Sequence, residues 1–237
     1  MVDDSDEKPS ATVGRFQQNY SDIVVLRMSI QAIPWIGGPL DTLLAGRATQ
    51  IQLERVDKFA KELAQRMATV ESSAVNLNDE AFADLMFTTF ERASRTRSEE
   101  KRSRFAEIIA NQVAKPAQWE EPENAVRLLA DLEDIHIEII ETALKAPVAD
   151  GSFAGLRVIS LKAGPTSNEQ GKDPVSLFVS FPQHGAAALR MACAELAAKG
   201  LLLDEGIGRL GLGAMQYFVP TDLAEWFSAW ISRARRE

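Results

Sequence analysis

The chain has 237 residues and a formal net charge of −8, with 46% hydrophobic and 25% charged residues. These values are ordinary for a soluble globular protein of one large or two small domains. The acidic balance disfavours attraction of the whole protein to nucleic acid or anionic lipid, unless a local basic patch overrides it. A single cysteine, Cys193, excludes an internal disulfide and a cysteine-based zinc cluster.

The N-terminal stretch "MVDDSDEKPSATVGRFQQNY" is acidic and polar. Its low hydrophobicity and high charge predict a disordered tail over residues 1–18. The stretch has neither the basic n-region nor the apolar run of a signal peptide. We therefore expect a cytoplasmic protein.

An apolar segment punctuated by glycine and proline follows at residues 23–46 and contains "IPWIGGPLDTLLAG". One interpretation is a helical hairpin that inserts into a membrane and makes the protein a membrane-active effector. The other is a buried corner or an oligomer interface, which Arg27, Asp41 and arms too short to span a bilayer favour. The residues that would make either contact are Ile33, Trp35, Ile36, Leu40, Leu43 and Leu44.

Three amphipathic helices are predicted next, and together with the apolar segment they form a helical bundle over residues 19–116. Apolar residues recur at spacings of three and four from about Thr49 to Glu71, which defines one helical face. Asn78 and Ser98 are predicted N-caps of the next two helices, and the third helix ends before Pro116. The polar loop "KPAQWEEPE" then predicts a domain boundary.

The densest basic cluster lies where the second and third of these helices meet, in "ERASRTRSEEKRSR". Its cations could bind the phosphate groups of a nucleic acid, a nucleotide or a lipid headgroup. The alternative is a solvated turn whose cations pair with Glu91, Glu99 and Glu100. The candidate basic patch consists of Arg92, Arg95, Arg97, Lys101, Arg102 and Arg104.

Residues 122–237 form a second predicted domain of different character. Two helices joined near Asp134 precede two alternating apolar segments, "FAGLRVISLKAG" and "PVSLFVSF", which predict an inserted β-hairpin. A helix, "GAAALRMACAELAAKG", stops at Gly200 and is followed by two strands, "LLLDEG" and "MQYFVPT", around a glycine-rich loop. Thr221 or Asp222 caps a final helix. The predicted fold class is mainly α with a small β part.

The order of elements in residues 128–230 resembles a winged-helix domain. The resemblance rests on "ELAAKGLL", with Leu196, Gly200 and Leu201, on the glycine-rich wing, and on "YFVPT", with Tyr217. The chain departs from the family where a second helix is expected, because it has the predicted hairpin there. The family's recognition helix and wing would correspond to residues whose cationic members are Arg190, Lys199 and Arg209.

The recognition helix implied by this resemblance is poor in groups that read DNA. Base edges are read by Arg, Lys, Asn or Gln, and phosphates are bound by Lys or Arg. The helix offers Arg190, Lys199 and Glu195 among seven alanines. Such small residues suit close packing against another helix or another subunit.

The inventory of catalytic and ligand-binding groups is thin. "GIGRLG" at residues 206–211 matches a dinucleotide-binding pattern, but the chain continues into a predicted strand instead of the required helix. His136, His184 and Cys193 do not have the spacing of a catalytic triad or a zinc site. We therefore expect no catalytic residue, no cofactor and no metal ion.

These observations favour a non-enzymatic module for protein interaction or self-assembly, whose partner is another protein or a second copy of the chain. Two alternatives remain: a winged-helix transcription regulator that binds DNA, and a membrane-active effector that uses residues 23–46. The first half is similar to parts of uncharacterised bacterial helical proteins, and we expect a bacterial protein with a regulatory or defence-related role.

Overall fold

A computed structural model describes residues 50–67, 80–115, 117–118, 120–162, 173–207 and 212–232. The chain divides into two compact units, Met1–Glu123 and Asn124–Glu237. The described residues are mainly helical, with a small four-stranded sheet in the second unit. The predicted fold class, mainly α with a small β part, is confirmed. The predicted tail and the predicted cap at Asn78 lie outside the described residues.

Three helices of the first unit pack through apolar faces: α1 (Gln50–Met67), α2 (Glu80–Arg95) and α3 (Glu99–Ala114). Helix α1 contacts both of the others. The aromatic rings of Phe59 in α1 and Phe90 in α2 meet edge to face, with centroids 4.8 Å apart. Burial of each such side chain contributes about 1.5–3 kcal/mol, so these apolar faces are the main source of stability in the unit. The fully buried apolar residues include Val56, Phe59, Leu63, Phe82, Leu85, Met86, Phe105, Ile108 and Ile109.

Helix α3 begins where the sequence predicts. Ser98 has extended backbone dihedrals, and its hydroxyl accepts a hydrogen bond from the backbone N–H of Lys101 at 3.1 Å. Glu99 and Glu100 occupy the first turn, where carboxylates interact favourably with the helix dipole. The predicted N-cap at Ser98 is confirmed.

A polar network joins α1 to α3. The Arg66 guanidinium donates to Oε1 of Glu107 at 2.7 Å and to Oγ of Ser103 at 2.6 Å, and it pairs with Glu62 at 2.6 Å. Burial opposes the charge on Arg66, but the hydrogen bonds to Glu107 and Glu62 outweigh it, so the pKa of Arg66 is raised above its ordinary value. The network therefore holds two helices in register with a charge that stays protonated.

The remaining elements alternate helices with short strands. Helix α4 leads into α5 and a single 3₁₀ turn, and the strands follow. In chain order they are α4 (Glu120–Asp131), α5 (Asp134–Lys145), the 3₁₀ turn (Gly151–Phe153), β1 (Ile159–Ser160), β2 (Val175–Ser176), α6 (Leu177–Ser180), α7 (Ala186–Ala198), β3 (Leu202–Asp204), β4 (Tyr217–Pro220) and α8 (Asp222–Ile231).

The sheet has the strand order β2-β1-β4-β3. Strand β4 is antiparallel to both of its neighbours, with Phe218 opposite Ile159 of β1 and Val219 opposite Leu203 of β3. Strands β1 and β2 pair in parallel, so the predicted inserted β-hairpin is wrong in its direction of pairing. An antiparallel hairpin needs only a tight turn, whereas a parallel pair requires a crossover connection.

The segment "PVSLFVSF" is also only partly a strand. Its first residues form β2, but Leu177–Ser180 form the short helix α6. Leu177 and Phe181 are buried while Val179 is 66% exposed, so burial here follows a helical spacing of four residues. A short run of alternating apolar residues does not by itself distinguish these two structures.

The end of α7 and the start of α8 are tied together. Gly200 terminates α7 in a left-handed conformation, with φ of +75°, which glycine adopts at little cost. The Thr221 hydroxyl accepts a hydrogen bond from the backbone N–H of Ala224, which caps α8, and it donates to the carbonyl of Gly200 at 2.7 Å. The predicted helix stop and the predicted cap at Thr221 are both confirmed.

Candidate functional site

Helix α7 has a buried face and an exposed face that are both apolar. The buried residues lie on the side on which α7 contacts α5, α6 and β3. They are Leu189, Ala192, Cys193 and Leu196. At about 100° per residue, the opposite side of the helix carries Ala187, Met191, Ala194 and Ala198, all of which are exposed. We call these four residues the seam.

Met191 dominates the seam. Its side chain is 66% exposed, one of the largest values among the exposed apolar residues that the structure describes. The alanines around it have no side-chain conformational entropy to lose and favour the helical state, so the face is rigid and smooth. The exposed apolar face therefore lies on a helix whose opposite side is anchored in the unit.

Two opposite charges border the seam. Arg190 and Glu195 are both exposed, and they project about 70° to either side of the seam's centre. Apolar residues in the middle and charged residues at the margins resemble the core and rim of a protein interface. This arrangement distinguishes α7 from a helix that presents cations along its outward face.

His136 of α5 contacts Glu195 of α7. The imidazole Nδ1 accepts a hydrogen bond from the backbone N–H of Glu133 at 3.0 Å, which leaves the proton of a neutral ring on Nε2. That Nε2 lies 3.0 Å from Oε2 of Glu195, although the angle between the groups is too poor for a hydrogen bond. Glu195 is 46% exposed, so its carboxylate remains available at the surface.

Cys193 is not a reactive group in the folded chain. The side chain is fully buried, and desolvation raises the pKa of its thiol to about 12. A thiol with that pKa is protonated at neutral pH, whereas nucleophilic and metal-binding chemistry needs the thiolate. Cys193 therefore acts as a small core residue.

Two of the three predicted DNA-contacting residues, Arg190 and Lys199, lie in the part of the chain that the structure describes. Arg190 is exposed beside the seam, whereas the Nζ atom of Lys199 lies 3.3 Å from Oδ2 of Asp131. Arg209 lies outside the described residues. Of these two described cations, Arg190 is exposed and Lys199 contacts a carboxylate.

The glycine-rich loop connects two antiparallel strands. It follows β3 and leads to β4, so a helix N-terminus that could hold a pyrophosphate does not follow it. The Asp204 carboxylate accepts hydrogen bonds from the backbone N–H groups of Gly206 at 2.9 Å and Met215 at 2.6 Å, which closes the base of the loop. Asp204 was not singled out in the sequence, although aspartate at the start of a turn commonly makes such bonds.

One member of the candidate basic patch is buried. Arg102 is 4% exposed and donates to the backbone carbonyls of Thr96 at 2.8 Å and Arg97 at 3.0 Å, so it stabilises the α2–α3 junction. Arg95 pairs with Glu91 at 2.7 Å. The remaining members of the patch are Arg92 and Arg97, which are exposed, and Lys101 and Arg104, which are half-buried.

The candidate interaction or membrane hairpin, with Ile33, Trp35, Ile36, Leu40, Leu43 and Leu44, lies outside the described residues. Among the helices that the structure does describe, none is long and apolar enough to cross a membrane. No group of three or more potential metal ligands occurs in the described parts of the chain.

The seam was missed in the sequence as a set of residues, although the abundance of alanine in α7 pointed to close packing. The signal that could have found it is a second apolar stripe, because the buried stripe of Leu189, Ala192, Cys193 and Leu196 already supplies a complete core face. No protein-family model, curated protein or solved structure matches the chain.

Proposed function

We propose that the protein is a non-enzymatic interaction module and that its second unit binds another protein chain through the exposed seam of α7. The observation that carries this proposal is the solvent-exposed Met191 in the centre of an alanine face, bordered by Arg190 and Glu195. Complete burial of an exposed methionine contributes about 1.5–3 kcal/mol, so burial of the 66% of Met191 that is exposed contributes about 1–2 kcal/mol. The alanines would let a partner helix approach to an axial distance of about 8 Å.

The charges on the described residues of α7 support protein interaction over base-specific recognition of DNA. A recognition helix places several donors in the major groove, and each good bidentate pair with a base discriminates by about 1–3 kcal/mol. The outward face of α7 offers alanines and Met191 in those positions. A face of this composition is suited to a dry contact with another protein.

A second candidate function, DNA binding by a winged-helix domain, is supported by the order of elements along the chain. Helix α7, strand β3, the glycine-rich loop, strand β4 and helix α8 follow one another in the order on which the winged-helix resemblance rests. Fluorescence anisotropy with a random DNA duplex at low salt tests it. Micromolar binding that weakens with salt and is lost on Arg190→Ala would favour this second function.

The interaction function is tested by cross-linking in cells. A photoreactive amino acid replaces Met191, and in a matched control it replaces Val148, an apolar residue of the same unit that is 49% exposed. We expect a covalent adduct with a defined protein chain from position 191 that is absent from position 148. Ala194→Arg should abolish the adduct, because a long cation would occupy the seam. Identical adducts from both positions, or none from position 191, would contradict the proposal.

A further inference from the structure

We infer that the partner of the seam is a second copy of this chain, paired through α7 in parallel about a twofold axis. The inference rests on the proposed interaction function and names its partner. Its basis is the spacing of the seam, the placement of two opposite charges and the exposure of both groups.

The spacing of the seam is that of a short coiled-coil contact. Ala187, Met191, Ala194 and Ala198 are separated by four, three and four residues, which is the alternation of d and a positions in a heptad repeat. All four are exposed and lie opposite the face that packs in the unit. The seam is therefore free to pack against the same seam of another molecule, as a self-complementary twofold contact requires.

The two charges that border the seam favour a second copy of the chain as the partner and a parallel orientation of the two helices. With the seam at d and a, Arg190 occupies a g position and Glu195 occupies the following e position. In a parallel pair, each g residue faces the e residue five positions later in the other helix, so Arg190 faces the partner's Glu195 and the reverse pair forms by symmetry. In an antiparallel pair, arginine would face arginine and glutamate would face glutamate. Charge complementarity therefore supports a parallel second copy.

Glu195 is available for this contact. Its side chain is 46% exposed, although its Oε2 atom lies 3.0 Å from Nε2 of His136.

The length of α7 sets the strength of the dimer. Thirteen residues form a helix about 20 Å long, so one pair of seams buries less than the roughly 1,200 Å² typical of stable complexes. We expect a reversible dimer with a dissociation constant in the micromolar range or above, whose population follows protein concentration.

Sedimentation equilibrium of the full chain tests the inference. Arg190→Glu creates two glutamate–glutamate contacts in a parallel dimer and should weaken dimerisation about tenfold. The double variant Arg190→Glu/Glu195→Arg recreates both opposite-charge pairs with their signs exchanged, so it should restore the dissociation constant. Arg127→Glu, an exposed position on α4, makes the same charge change away from the seam and should leave dimerisation unchanged. Circular dichroism verifies that each variant is folded.

Three outcomes would overturn the inference. They are an unchanged dissociation constant in Arg190→Glu, a double variant as weak as Arg190→Glu, and a wild-type chain that is monomeric at millimolar concentration. A monomeric chain that still forms the position-191 adduct with a different protein would remove the second copy as partner and leave the proposed function standing. A monomeric chain without that adduct would contradict both.

Discussion

Polar residues are usually exposed and apolar residues are usually buried, but helix α3 buries polar residues and helix α7 exposes an apolar one. Helix α3 buries charged and polar residues, with Arg102 at 4% exposure and Gln112 at 1%, whereas α7 exposes the apolar Met191 to 66%. Burying a polar group costs free energy unless it is hydrogen-bonded. An apolar group that stays exposed does not contribute the favourable free energy of burial. The burial of these polar residues in α3 and the exposure of Met191 in α7 therefore do not follow from the polarity of the side chains alone.

The difference between them lies in what satisfies each residue. In α3 the amide of Gln112 exchanges hydrogen bonds with the backbone of Ala117 at 3.0 and 3.1 Å, and Arg102 donates to two carbonyls. These groups find their partners inside the unit and are structural. The seam of α7 faces solvent, and under the proposed function its partner comes from another molecule. The buried polar residues thus contribute to the fold, whereas we propose the exposed apolar residues of α7 as a surface for binding.

The largest effect should come from Arg102. Replacement by methionine keeps the aliphatic stem but leaves the carbonyls of Thr96 and Arg97 without their charged donor. We expect the free energy of unfolding to fall by about 2–3 kcal/mol, measured by urea denaturation followed by circular dichroism. Arg92→Met, at an exposed position of the same cluster, is the matched control and should change stability by less than about 0.5 kcal/mol. Equal effects of the two substitutions would show that Arg102 has no special structural role.

A much smaller effect on stability is expected at the seam. Met191→Asp places a charge at an exposed helical position, and the free energy of unfolding at micromolar or lower concentration should change by less than about 0.5 kcal/mol. Measurement at low concentration keeps self-association out of the result. A loss of several kcal/mol would mean that Met191 belongs to the core of the unit, and the contrast with α3 would fail.

The smallest effect concerns the exposed pair between Lys58 of α1 and Glu99 of α3, whose Nζ and Oε1 atoms are 3.0 Å apart. The hydrogen bond and the charge of Lys58 lower the pKa of Glu99 below its ordinary value. Because the folded pKa is the lower one, the pair adds stability above the unfolded pKa, and this is lost as pH falls through the folded pKa. Lys58→Met should move the Glu99 pKa upward in an NMR titration, and an unmoved pKa would exclude Lys58 as the cause.

Local chemistry in the sequence predicted a large part of the fold. The caps at Ser98 and Thr221 and the stop at Gly200 each depend on hydrogen bonds or dihedral angles within a few residues, and all three are present. Apolar periodicity likewise identified the core faces of α1, α2 and α3. Predictions failed where a short apolar run was compatible with two structures, as in "PVSLFVSF", which becomes β2 and α6.

For the candidate site too, some features follow from the sequence and others only from the tertiary structure. The sequence by itself determined that α7 is rich in alanine, poor in cations and contains Arg190 and Glu195, because composition does not depend on neighbouring elements. Only the tertiary structure decided that one apolar stripe of α7 is buried while Met191 is exposed, and that Arg102 lies inside a junction instead of on a basic surface. The physical reason is that burial depends on which element packs across a residue, and that contact joins positions far apart in the chain.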